Sequence, residues 1–277
     1  MQTALSPLLQ VFDRHFESGK AAFEGLTKKI KSKKAIELAD QLFFFQLYLL
    51  LLGKIHFKKK NLVFNSFSPF LSLQRNLRKV LHIKLIEEGF SSHFGGAKTG
   101  FSEYEKQLSS DKKNTYTEVY EVILSAPLNI WENLYRDVLD RSKNLSALTV
   151  NTATNQIINE EIEFFHFDAQ SRLDPQTIRD IYDGINKVIT LEQIRISTGL
   201  NAVFTHQIHV QINQLSQLLH AWHKGHLLYQ HLSHFLRDSE KIEKKYHAIL
   251  SQIKKNHKSL TGDVEKKCIH LFTEVLH

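Results

Sequence analysis

The chain has one cysteine, four prolines and eleven glycines in 277 residues, and each scarcity excludes something. With Cys268 alone, no internal disulfide can form and no cysteine-based metal cluster can be built. Such a chain is at home in a reducing cytosol, so a cytoplasmic protein is expected. The opening residues MQTALSPLLQVFDRHFESGK lack the uninterrupted apolar stretch of a signal peptide. Long hydrophobic runs are missing too. The longest, Leu42–Ile55 (LFFFQLYLLLLGKI), spans fourteen residues and contains Gln46, against the roughly 20 needed to cross a bilayer. A buried bundle helix, and no transmembrane segment, is the expectation. So few helix breakers among abundant Leu, Ile, Lys, Glu and Gln predict an all-α protein of long helices.

What is present in excess is positive charge. The formal charge is +7, and lysines cluster at TKKIKSKK (27–34), at KKK (58–60) and near the C-terminus at 241, 244, 245, 254, 255, 258, 266 and 267. Such a balance suits a polyanionic partner, whether nucleic acid, acidic lipid or inorganic phosphate polymer. The lysine clusters lack interleaved aromatics and match no nucleic-acid recognition motif, which argues against a specific nucleic-acid partner.

Helical spacing of Leu5, Leu8, Leu9, Phe12 and Phe16 predicts one or two helices over 4–33, followed by an apolar helix over 35–55. A helix entered at Ser68-Pro69 should run to about Glu88. GFSSHFGGAKTGFS (89–102) reads as a loop, and its GGAKTG lacks the spacing of a phosphate-binding loop. Helices are expected over about 103–125 and 128–146. SALTVNTATN (146–155) is the weak stretch at the midpoint, and a helix should follow to about Gln170. Asp174 and Pro175 form the start signal of another helix. Another helix should cover 204–237, and one or two basic helices divided near Thr261-Gly262 should finish the chain.

Five of the sixteen histidines lie in QLSQLLHAWHKGHLLYQHLSHFL, residues 214–236. Ile208, Ile212, Leu215, Leu219, Trp222, His226 and Tyr229 step by four and three, which makes one core-facing seam. His209, His220 and His231 are eleven residues apart, almost three helical turns, and flank that seam; His223 and His234 form a parallel row. Metal ligation has little support, because zinc sites draw on three or four ligands and no H-E-x-x-H occurs. The E-x-x-H pattern of di-iron bundles appears once, at Glu163–His166, with no second copy. No nucleophile motif is present either, so neither an enzyme nor a cofactor is expected.

The two halves share a layout, an apolar helix leading through a loop to a helix rich in leucine and basic residues. In these features the chain resembles the CHAD (conserved histidine α-helical domain) family. LHAWHKG (219–225) resembles the family's second-half L-G-x-W-H-D segment, LRKVLHI (77–83) its first-half counterpart, and IRDIYDGINKVI (178–189) its H-x-x-R-x-x-x-K helix. The resemblance implies two pseudo-symmetric antiparallel helical bundles in a single domain, with halves at about 1–146 and 147–277. It also implies binding of inorganic polyphosphate, or another polyanion, in a basic groove between them. The residues it nominates are Arg75, Arg78, Lys79, His82, Arg179, Lys187, His220, His223 and Lys224, with Lys84 and Arg195 nearby. Histidines in such a groove would strengthen binding below about pH 6.5, the unperturbed imidazole value. The departures are specific. Arg179, Tyr182 and Asn186 stand where the family has His, Arg and Lys; Asp40, Phe43 and Leu47 leave the first-half helix without a basic residue. Ala221 and Lys224 replace two acidic positions. These replacements favour the alternative, a helical interaction or structural module that kept the fold and engages a protein partner.

Overall fold

The computed structural model describes residues 6–30, 32–56, 62–94, 100–127, 129–165, 172–238 and 244–276. Among them there is no strand. The helices are α1 (Pro7–Lys28), α2 (Ser32–Ile55), α3 (Leu62–Phe67), α4 (Leu71–Phe94), α5 (Ser102–Leu124), α6 (Ile130–Arg141), α7 (Ala147–Phe164), α8 (Pro175–Ser197), α9 (His206–Asp238) and α10 (Lys244–Ile269). A 3-10 turn (Ser68–Phe70) precedes α4, and a π-helical turn (His270–Val275) ends α10. The all-α expectation holds.

The chain divides into two compact units, each assembled from separate segments. Unit 1 comprises Met1–Leu81, Asn114–Glu160 and Lys187–Val203; unit 2 comprises His82–Lys113, Glu161–Asn186 and Phe204–His277. Helices α4, α5, α7 and α8 therefore contribute a stretch to each unit. The midpoint near residue 146 falls within unit 1, between α6 and α7.

Unit 1 is organised by the pairing of α1 with α2. Ser6 caps α1 by accepting from the Leu9 N–H (3.3 Å), ahead of Pro7 in the first turn, where its missing N–H costs nothing. The aromatic side chains then interlock. Phe12 lies 4.9 Å from Tyr48 and 5.6 Å from Phe45, and Trp131 meets Phe16 at 5.6 Å and Phe70 at 5.4 Å, edge to face. α2 is long and apolar enough to cross a membrane by length and composition, since it begins at Ser32. However, Leu38, Leu42, Phe45, Leu49 and Leu52 are fully buried within the protein. Each such side chain contributes roughly 1.5–3 kcal/mol.

Unit 2 is organised by α9 lying along α10. Its core contains Ile83, Ile86 and Phe90 from α4, Tyr104 and Leu108 from α5, Leu228, Leu232 and Leu236 from α9, and Tyr246 and Ile253 from α10.

Several helix boundaries differ from the sequence expectation. α4 continues past Gly89 to Phe94, and a short helix, α3, precedes it. The weak stretch 146–155 is the start of α7. Ser146 accepts from the Thr149 N–H (3.1 Å), while Thr152 and Thr154 donate back to the Leu148 and Val150 carbonyls (3.0 and 2.8 Å). Those back-bonds satisfy hydroxyls that would otherwise disfavour helix. α10 passes unbroken through Thr261-Gly262, where Thr261 donates to the His257 carbonyl (2.9 Å). The Asp174 cap forms as expected, accepting from the Gln176 and Thr177 N–H groups at 2.7 and 3.0 Å. The 58–60 lysines, His166 and most of GGAKTG lie outside the described residues.

Candidate functional site

The seam on α9 forms where the sequence places it. Ile212, Leu215, Leu219 and Trp222 are buried, and His226 is only 5% exposed. Trp222 donates through Nε1 to Thr261 Oγ1 (2.9 Å), and its indole stacks on the His226 ring at 4.8 Å, 10° from parallel. His226 Nδ1 lies 3.2 Å from His257 Nε2 on α10. A neutral pair explains this contact, one ring donating and the other accepting. The remaining His226 nitrogen, Nε2, is buried without a hydrogen-bond partner.

One turn earlier, half-buried His223 meets His82 of α4 edge to face at 5.4 Å and Tyr182 of α8 at 5.7 Å. Its Nδ1 also has no partner. Tyr182 Oη reaches His220 Nδ1 at 3.0 Å. Further along, His231 Nε2 lies 3.1 Å from the Asp111 carboxylate and its Nδ1 lies 2.9 Å from Tyr104 Oη. Because a carboxylate only accepts, the proton belongs on Nε2, and Tyr104 donates to Nδ1.

This packing sets the charge of the histidines. Burial, then the neighbouring His82, His226, His220 and Arg179, pushes His223 down to about 4. Burial, then His257 and Arg179, pushes His226 down to about 4. Burial and Lys224 lower His220, with Glu88 opposing; burial lowers His231 against the pull of Asp111, and burial lowers His257. For His223 and His226 the expectation of charging near pH 6.5 is therefore corrected: packed among other bases, these two rings stay neutral there.

The nominated residues separate by unit. Arg75, Arg78, Lys79 and Lys187 belong to unit 1, whereas His82, Arg179, His220, His223 and Lys224 belong to unit 2. Arg75, Arg78, Lys79 and His82 share one face of α4 by their i, i+3, i+4, i+7 spacing. Arg75 and Arg78 are exposed, while Lys79 pairs with Glu118 at 2.6 Å. Lys187 is half-buried. In unit 2, Arg179 donates to Gln176 (2.7 Å), Lys84 pairs with Glu88 (3.5 Å), and the Lys224 stem runs past Gly89. Arg195 is only 3% exposed. It is consumed by internal bonds to Thr154, Asn151 and Asn201, so no anion contact is left to it.

Charge and histidine partition differently. Unit 1 holds 19 Lys and Arg against 12 Asp and Glu, the whole excess of +7; unit 2 holds 17 against 17. Yet unit 2 holds 14 of the 16 histidines. Within neutral unit 2 the cations are still concentrated on one helix. Because α10 is continuous, Lys244, Lys255 and Lys266 recur every eleven residues on one exposed row, about 16 Å apart, with Lys254 and Lys258 beside them. The lysines were visible in the sequence; their alignment required the helix to pass through Gly262.

Cys268 is buried, and burial with Glu265 nearby pushes its thiol up to about 12, which leaves no thiolate at neutral pH. Among the described residues, no group of three or more His, Cys, Asp and Glu is placed to hold a metal ion. Compared with known proteins, the chain matches no family model, no curated protein and no solved structure.

Proposed function

We propose that this is a non-enzymatic helical protein that binds a polyanion, of the class of inorganic polyphosphate, through exposed cationic faces. The observation that carries the reading is the α10 row, in which Lys244, Lys254, Lys255, Lys258 and Lys266 are all solvent-exposed on one helix. A flexible chain of phosphates needs repeated point charges along a line and no exact geometry, and lysine supplies that. Arg75 and Arg78 on α4 offer a second exposed pair. The choice of ligand rests on the resemblance of LHAWHKG and LRKVLHI to CHAD segments, and the arrangement as two pseudo-symmetric bundles belongs to the same proposal. In it, Trp222 and His223 organise the scaffold, and the anion is held by lysine and arginine.

The test is titration of the full chain with long-chain polyphosphate at pH 7.5 over a series of salt concentrations. Affinity should fall linearly on logarithmic axes as salt rises. Lys254→Glu, Lys255→Glu and Lys258→Glu together should weaken binding at least tenfold and flatten that slope. No binding at any salt concentration would overturn the proposal in favour of the interaction module. That second reading is favoured by Asp40, Phe43 and Leu47, which occupy the positions where the family carries basic residues.

A further inference from the structure

We propose that the histidine seam makes unit 2 an acid-released module: proton uptake by the seam loosens the packing of α9 against α4, α8 and α10, while unit 1 stays folded. The geometry has three parts. His226 is 95% buried, stacked on Trp222, with Nδ1 committed to His257 and Nε2 without a partner. A second proton on the accepting ring of that pair leaves two N–H donors facing each other at 3.2 Å, and a second proton on a donating His226 falls on buried Nε2, which has no acceptor. His223 is wedged between His82 and Tyr182 with a buried, unpartnered Nδ1. Finally, the histidines are concentrated in one unit, with only His15 and His56 in unit 1.

The groups around the seam decide the direction. His223 faces His82 from α4, Arg179 and Tyr182 from α8, and His220 and His226 along α9; the charged or chargeable groups acting on it are bases. His226 faces His257 from α10 and Arg179 from α8. Carboxylates act at the margins, Glu88 on His220 and Asp111 on His231, with Lys224 and His234 opposing them. Protonation of the centre is therefore uncompensated.

The sign follows by linkage. His223 and His226 titrate near 4 in the folded protein and near 6.5 when unfolded. The stability tied to their neutral state is fully present above pH 6.5 and is lost as pH falls from 6.5 toward 4. At pH 5 the unfolded form of each is almost wholly protonated and the folded form only about a tenth, so each group favours opening by about 30-fold.

The test is hydrogen exchange of the full chain, resolved by segment and corrected for intrinsic rates, at pH 7.5 and pH 5. Protection in α9 and α10 should fall by at least 30-fold, with α1 and α2 unchanged. Trp222 and Trp131 provide one fluorescence reporter per unit, and only the Trp222 signal should move. His223→Leu removes one titrating ring and should reduce the acid sensitivity by about 30-fold. Equal loss in both units, or full protection of α9 until carboxylates titrate below pH 4, would overturn the proposal in the wild-type chain whether or not the variant folds. So would full acid sensitivity in a folded His223→Leu protein.

Discussion

Removing the Arg195 guanidinium should be the most damaging single polar change in unit 1. Arg195 and Glu192 are 3% and 2% exposed, and their nearest charged atoms lie 3.6 Å apart. Arg195 donates to Thr154 Oγ1 (2.6 Å), Asn151 Oδ1 (2.8 Å) and the Asn201 carbonyl (2.7 and 3.0 Å), so it ties α8 to α7 and to the turn after α8. Glu192 closes the same turn, both of its oxygens accepting from the Val203 N–H at 3.0 Å. Arg195→Met keeps the stem and takes the guanidinium away from the buried Glu192 carboxylate, a change that costs about 3–5 kcal/mol. In Glu192→Gln with Arg195→Met the charge is gone, while the amide oxygen still accepts from Val203, so about 1–3 kcal/mol of coupling should return. Urea unfolding followed through Trp131 measures both variants. A cost below about 1 kcal/mol for Arg195→Met, or a double variant no more stable than that single one, would refute the reasoning. Polyphosphate affinity of the folded Arg195→Met protein should match that of the wild type, because the side chain is spent internally.

Two helical glycines should respond oppositely to alanine. At Gly184 a Cβ would lie 2.5 Å from Phe165 Cζ, so Gly184→Ala should destabilise by about 1–3 kcal/mol; at Gly225 the nearest atom is 3.9 Å away, and Gly225→Ala should stabilise by up to about 1 kcal/mol. Thermal melts of the pair check both signs. Tyr104→Phe removes the donor to His231 Nδ1 in the unit 2 core and should cost about 1–2 kcal/mol in urea unfolding, with the His231 resonances shifting in the NMR spectrum. Asp174→Ala should lower the melting temperature at pH 7. Hydrogen bonds from Thr177 and Gln176 hold the Asp174 carboxyl below its usual range, so its contribution is present above about pH 4 and fades as pH falls through the folded value; the difference between variant and wild type should shrink there.

The parts of the fold legible in the sequence are those fixed by local physics. Sparse breakers predict the all-α class, Asp174-Pro175 starts α8, and the spacing from Ile208 to Tyr229 orients α9 correctly. The misplaced boundaries are those decided by neighbours far along the chain. Gly89 reads as a loop residue, yet a side chain there would meet Leu228 and Lys224 only at ordinary contact distances, so α4 continues through it. Threonines in 146–155 read as non-helical until their hydroxyls bond back to α7 and Thr154 also receives Arg195, 41 residues away.

Orientation and ionisation are different kinds of information, and that separates what was legible in the histidine cluster from what was not. Spacing by eleven shows that the imidazoles flank a seam, because helical phase depends on one helix alone. Whether they carry charge depends on what other helices bring: His82 from α4, Arg179 from α8 and His257 from α10. Those neighbours are bases, and none is adjacent in sequence to the ring it opposes. A histidine-rich run that reads as a pH-responsive anion face thus folds into a neutral seam. Its protons are resisted, and the exposed positive charge lies instead on lysines and arginines such as those of α10 and α4. The two consequences are separable by pH: polyanion affinity through Lys254, Lys255 and Lys258 should be nearly constant from pH 7.5 to 6.5, whereas a histidine-held anion would bind more tightly across that interval.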